Sequence, residues 1–241
     1  IHLSGNKMKI QKTSLDMFIP EDRRQALTRG ETLPDRSYGA VIFADLSGYT
    51  KITEALSIQL GPQRGAEELT HRMEQIYTGL VAEIHNYRGS VIGISGDGIT
   101  CWFDGDDGRR ATSCAIAIQN NIGQQVSISL PSDFPSTLGI KVAVIVGPVR
   151  RFLVGDPNIQ LLEVIAGNEL DRVALAEQLL KRGEIVVGVE LLKKLGGLVQ
   201  GVEWRLTPEE EYFAVITGLS QTTPQDPWPQ IPQLDQDIAR K

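Results

Sequence analysis

Cysteine is nearly missing, two in 241 residues, so no disulfide framework can be built. Cys101 and Cys114 both sit in apolar patterns and read as buried, reduced thiols, which suits a reducing compartment. No apolar run approaches the length of a membrane span, and the first residues lack the charged-then-apolar layout of a signal peptide. The expected setting is therefore cytoplasmic, with no membrane partner. An excess of basic residues is also lacking. The net charge of −6 and pI near 5.2 exclude a broad phosphate-tracking surface, so nucleic acid is not an expected partner. Any phosphate ligand has to be met by a local site. What remains is an ordinary globular composition, 41% apolar and 22% charged, which excludes disorder as the overall state and suits one core with short appendages.

The most informative stretch is FADLSGYT, residues 43–50. Tyr38 to Ala44 is a continuous apolar, β-rich run, which predicts a strand buried on both faces and places Asp45 where that strand stops. Ser47 and Gly48 then open a helical pattern with Ile52, Ala55, Leu56 and Leu60 on one stripe. The free N–H groups of the first helical turn point back toward Asp45. A carboxylate beside a helix N-terminus suits a divalent cation together with an anion such as phosphate, and equally suits a plain capping aspartate.

A short helix is expected after Pro20, ending at Gly30, as a brace whose Arg23–Arg24 pair faces solvent. Gly65 to Tyr87 predicts a long helix with Leu69, Met73, Ile76, Leu80, Val81 and Ile84 inward. His71 and His85 lie on it without a third ligand and read as surface or interface residues. SVIGISGDGITCWF, residues 90–103, predicts two strands around a tight glycine turn, with Asp97 at the tip and Trp102 in the core. An isolated acid between glycines is by default a turn aspartate bonding its own backbone. A second carboxylate at a neighbouring strand end changes that, because two acids on adjacent strands can share two Mg²⁺ ions.

A helix from about 107 to 124 follows, then a Ser- and Pro-containing loop over 125–137. LGIKVAVIVGPVRRFLVG predicts two strand-like runs hinged at Gly147–Pro148, with Lys141 the one charge entering the apolar run. A strand over 159–165, a helix over about 169–181, a short strand and helix, and a last hairpin complete the fold. Residues 218–241, with four prolines, read as a linker or tail. Strands separated by helices, with hairpins rather than strict βαβ alternation, predict an α+β sandwich: a mostly antiparallel sheet covered by helices.

FADLSGYT, the SGDG hairpin and IKVAVIVG, in this order and spacing, resemble the class III nucleotidyl cyclase catalytic domain over roughly residues 37–217. The resemblance is greatest to the branch that includes the soluble, bicarbonate-responsive adenylyl cyclases. It implies a ferredoxin-like α+β fold, an extension over 1–36, and pairing with a homodimer mate or a complementary cyclase domain. It further implies ATP as substrate, and two Mg²⁺ or Mn²⁺ ions per site. Asp45, Asp97 and the carbonyl of Leu46 match the family's metal ligands. The amides of Ser47, Gly48, Tyr49 and Thr50 match its triphosphate cradle, and Lys141 matches a basic triphosphate ligand.

The departures from the family pattern matter as much. Family members reading adenine have a lysine where this chain has Gly93, and an acid or threonine near Val164. The transition-state Asn and Arg correspond to Asp171 and Leu175, and leucine cannot stabilise developing phosphate charge. Arg172 lies three residues before Leu175 and faces elsewhere on the helix. The chain therefore resembles the metal-bearing half of a paired cyclase, converting ATP to cyclic AMP and pyrophosphate only with a complementary domain. The alternative is a degenerate nucleotide-binding or dimerisation sensor. Bicarbonate regulation is not expected, since the basic residues for that anion correspond to Gly93 and Ala174.

Overall fold

The computed structural model describes residues 19–123, 138–156 and 160–231. Eight strands form one sheet: β1 (Arg36–Ser47), β2 (Ser90–Ser95), β3 (Gly98–Asp104), β4 (Gly139–Asp156), β5 (Gln160–Ala166), β6 (Ile185–Gly188), β7 (Val199–Leu206) and β8 (Tyr212–Leu219). Their order is β2-β3-β1-β4-β6-β8-β7, with β5 paired to β4 as an arm. Only β4 and β6 run parallel among these pairs. Six α-helices accompany them among the described residues: α1 (Glu21–Thr28), α2 (Tyr49–Leu60), α3 (Pro62–Asn86), α4 (Arg109–Ile118), α5 (Asn168–Leu179) and α6 (Val189–Leu195). The α+β sandwich expected from the sequence is the fold observed.

Alternation along β1 divides the core. Ala40, Ile42, Ala44 and Leu46 face α2, α3, α4 and α6 in the larger apolar cluster. Val41 and Phe43 face the other side, where α5 packs Val173 and Ala176 with Trp102, Ile145 and Phe213. Both faces of the central strands are thus covered, which is why β1 and β4 read as unbroken apolar runs. Trp102 is fully buried, and Cys101 and Cys114 are free, buried thiols. Burial pushes both thiols up, so they stay protonated and inert.

Several expectations are corrected. LGIKVAVIVGPVRRFLVG is one 18-residue strand rather than two hinged runs. Pro148 lies on β4 between the residues that pair with β6 and those that pair with β5, a stretch of that edge with no ladder to interrupt. Leu60 is 44% exposed at the end of α2, off the buried stripe formed by Ile52, Ala55 and Leu56. The helix expected to reach residue 124 stops at Ile118 and passes into a π-turn over Gln119–Gly123. The loop expected at 125–137 lies outside the described residues.

The Arg23–Arg24 pair is not a solvated face. Arg23 pairs with Glu163 on β5, and Arg24 bonds Glu21 at 2.7 Å. Buried Arg151 on β4 joins Asp22 at 2.6 Å and Glu163, so α1 is stapled to the β4–β5 arm by charge. The start of the Pro-rich segment also packs on the domain. Trp228 Nε1 donates to the Gly89 carbonyl at 2.8 Å, and Gln25 donates to that of Pro229 at 2.8 Å. No helix among the described residues is long and apolar enough to cross a membrane.

Candidate active site

β1 lies between β3 and β4, and this placement decides which groups surround its end. Asp45 is opposite Gly98 on β3 and opposite Lys141 on β4. Cross-strand partners project to the same face, so the carboxylate and the ammonium meet: Lys141 Nζ is 2.5 Å from Asp45 Oδ2. Both side chains are largely withdrawn from water, at 10% and 18% exposure, so the pair is screened less than a surface salt bridge.

The second acid arrives through the β2–β3 turn. Gly96 takes φ +62, and Asp97 follows at the tip with an exposed side chain. The Leu46 amide donates to the Asp97 carbonyl at 3.2 Å, tying the tip to the end of β1. Gly98 permits this approach, because a Cβ there would lie 2.6 Å from the Phe43 ring. The two acids, far apart in sequence, thus sit on neighbouring strand ends.

Gly48, at φ +94, turns the chain from β1 into α2, and no side chain caps that helix. The amides of the first turn, from Tyr49 onward, meet no side-chain cap, and a helix dipole favours negative charge at such an end. The Ser47 hydroxyl donates to the Gly139 carbonyl at 3.2 Å, which ties the end of β1 to the start of β4 and does not involve the Ser47 amide. Tyr49, Gly96 and Asp97 line a cavity of about 440 Å³ with Leu69, Met73 and Tyr77 of α3. Tyr77 was not legible as a site residue, since on α3 it flanks the apolar stripe at Ile76. Burial, then the charges of Asp97 and Asp45, hold its phenol above the usual range, so it remains a neutral donor.

Among the described residues no group of three or more His, Cys, Asp or Glu side chains could hold a metal. The donor set fits a hard divalent ion of the Mg²⁺ type even so. Such an ion keeps several waters and takes one or two carboxylates plus substrate phosphates. Asp45 and Asp97 supply that number, beside an uncapped helix end. His71 is exposed and bonds Gln75, away from any such cluster.

The departures predicted to weaken the site lie elsewhere. Val164 pairs with Phe152, eleven residues along β4 from Lys141, roughly 35 Å at strand rise. Asp171 is exposed on the first turn of α5, and Leu175 packs against the α5-side apolar cluster. Arg172 is engaged by Glu211 and lies over the Phe213 ring. Gly93, on β2, offers no side chain at all.

Comparison with solved structures decides the architecture. The guanylyl cyclase Cya2 superposes with a TM-score of 0.64 at 20% identity, covering 78% of this chain and 95% of that one. The adenylyl cyclase CyaB from P. aeruginosa gives 0.64 at 18% identity, covering 78% and 97%. This is the class III nucleotidyl cyclase fold. A bacterial light-regulated adenylyl cyclase shares it, at a TM-score of 0.65 and 17% identity, over 85% of this chain and 59% of that one. In sequence, the cyclase-fold chain is 22% identical over 155 residues to adenylate cyclase type 10 of Oryctolagus cuniculus. That match covers 62% of this chain and 9% of the rabbit protein. The Homo sapiens protein of that name is 21% identical over 165 residues, covering 66% and 10%. The matched region is thus about a tenth of these relatives' length. No protein-family model matches the sequence.

Proposed function

We propose that this domain converts ATP to cyclic AMP and pyrophosphate in the cytoplasm, as the metal and triphosphate half of an active site completed by a complementary cyclase domain. The observation that carries the proposal is the meeting of Asp45, Lys141 and the Asp97 turn beside the uncapped start of α2. Asp45 and Asp97 would hold Mg²⁺ or Mn²⁺. Two such ions, when bound, activate the ribose hydroxyl and neutralise the departing pyrophosphate. The amides from Ser47 to Thr50 orient the β- and γ-phosphates through N–H donation. Lys141, which screens Asp45 in the absence of nucleotide, turns its ammonium to the triphosphate. In the reaction the 3′-oxygen bonds to the α-phosphorus as the bond from that phosphorus to the α–β bridging oxygen breaks; pyrophosphate leaves with the electron pair and the hydroxyl proton passes to water.

The layout of the sheet supports the need for a second domain. The Val164 region lies at the far end of β4 from Asp45, so one chain cannot supply both sides of its own cleft. The β4–β5 arm exposes Phe152, Leu153, Val154, Leu162 and Val164, an apolar surface fit for such a partner. ATP is favoured over GTP by the names of the sequence relatives, while the structural relatives include cyclases of both kinds.

Cyclase assays with Mg²⁺ and Mn²⁺, on ATP and GTP, test this. The chain alone is expected to give little or no cyclic nucleotide. Mixing with a complementary cyclase domain restores turnover on ATP, and Asp45→Asn abolishes it. Robust turnover by the chain alone, indifferent to Asp45→Asn, refutes the mechanism. The packing of Leu175 against the sheet and the engagement of Arg172 favour a second reading, a nucleotide-binding sensor without catalysis. Nucleotide binding with no turnover in any pairing would select it.

A further inference from the structure

Tyr77 and Asp97 line the same cavity, and each has what the other lacks. The Tyr77 hydroxyl is buried from solvent and makes no hydrogen bond. The Asp97 carboxylate carries none of the hydrogen bonds or ion pairs found among the described residues. An orphaned buried hydroxyl is rare in native proteins and calls for an explanation. The backbone of the turn is pinned by the bond from the Leu46 amide to the Asp97 carbonyl, while the carboxylate is exposed and free to choose a rotamer. A Cβ at Gly96 would meet nothing within 4 Å, so the tip has room to settle.

Resting on the metal-site reading above, we propose that Tyr77 is a positioning residue for Asp97. Its hydroxyl donates to one carboxylate oxygen when the Asp97 side chain turns to hold a divalent ion and leaves the other oxygen for that ion. The phenol suits the task. It carries a single donor, and Leu69 and Met73 line the same cavity. A carboxylate held by such a donor loses less rotamer freedom on binding, as hydrogen-bond partners of metal ligands do elsewhere.

The test is a Mn²⁺ titration of the full chain, followed by electron paramagnetic resonance, with a non-cyclising ATP analogue present. Tyr77→Phe keeps the ring and removes only the hydroxyl. It is expected to weaken Mn²⁺ binding roughly tenfold, with a thermal midpoint equal to or above that of the wild type, because an unpaired buried group has been removed. Tyr77→Leu is expected to weaken Mn²⁺ binding to the same degree. Wild-type affinity in Tyr77→Phe, while Asp97→Asn abolishes binding, overturns the role of Tyr77 and leaves the metal site standing. A far larger loss in Tyr77→Leu than in Tyr77→Phe overturns it too, since ring packing would then be the cause. Binding unaffected by Asp97→Asn sinks the metal-site reading itself.

Discussion

Replacing Arg151 by methionine separates the charge of the α1 staple from its shape. The guanidinium bonds Asp22 Oδ2 and Glu163 Oε1, each at 2.6 Å, and the three side chains are 1%, 6% and 1% exposed. Burial alone presses Arg151 toward neutrality. Hydrogen bonds and charge from Asp22 and Glu163 outweigh that, so it remains a cation through the physiological range. Methionine fills similar space and strands the buried carboxylates, with Arg23 still able to reach Glu163 but not replace the bond to Asp22. Breaking one side of a buried ion pair costs about 3–5 kcal/mol. With a urea slope on the order of 2–3 kcal/mol/M, the unfolding midpoint falls by about 1–2.5 M, measured by far-ultraviolet circular dichroism. Removing the rest of the cluster as well, in Asp22→Leu with Arg23→Met, Arg151→Met and Glu163→Met, brings the midpoint back toward wild type, because none of these four charges is left without its partner. A single variant whose midpoint moves less than about 0.3 M refutes the reasoning, since that change would be too small for a stranded buried charge.

Other consequences follow from named contacts. Glu184 is held below its ordinary value of 4.5, first by the hydrogen bonds from Arg205. A carboxyl depressed in the folded state adds stability above its unfolded value and loses it as pH falls through the folded one. Arg205→Gln should therefore lower stability at pH 7, by about 1–3 kcal/mol for hydrogen bonds to a charged group in so sheltered a pair, and the deficit should vanish in melts run well below pH 4.5. Asp171→Asn together with Leu175→Arg supplies the two transition-state groups that the family pattern has and this helix lacks. In a cyclic AMP assay at chain concentrations high enough for two copies to pair, this double variant is expected to gain turnover that Asp45→Asn then removes. Trp228→Ala takes away the bond to the Gly89 carbonyl and the stacking of Arg88, and is expected to speed proteolysis within residues 220–231 while lowering domain stability by about 1–2 kcal/mol.

Local chemistry made much of this domain legible in one dimension. The apolar run before Asp45, the glycine after it and the stripe of Ile52, Ala55 and Leu56 are strand, turn and helix for reasons contained in a few neighbouring residues. The glycines around Asp97 likewise require a hairpin wherever the chain places it. Strand pairing is another matter, because it joins residues that no local pattern connects. Only the sheet order sets Lys141 against Asp45 and brings the Asp97 turn onto Leu46. Only packing hides Arg23 against β5, since an arginine looks solvated until a buried carboxylate from elsewhere meets it. Pro148 read as a hinge because the sequence does not show which edge of a strand lacks a neighbour. Tyr77 was silent for the same reason: a helix position acquires a partner from another element, and the identity of that element is fixed by the fold.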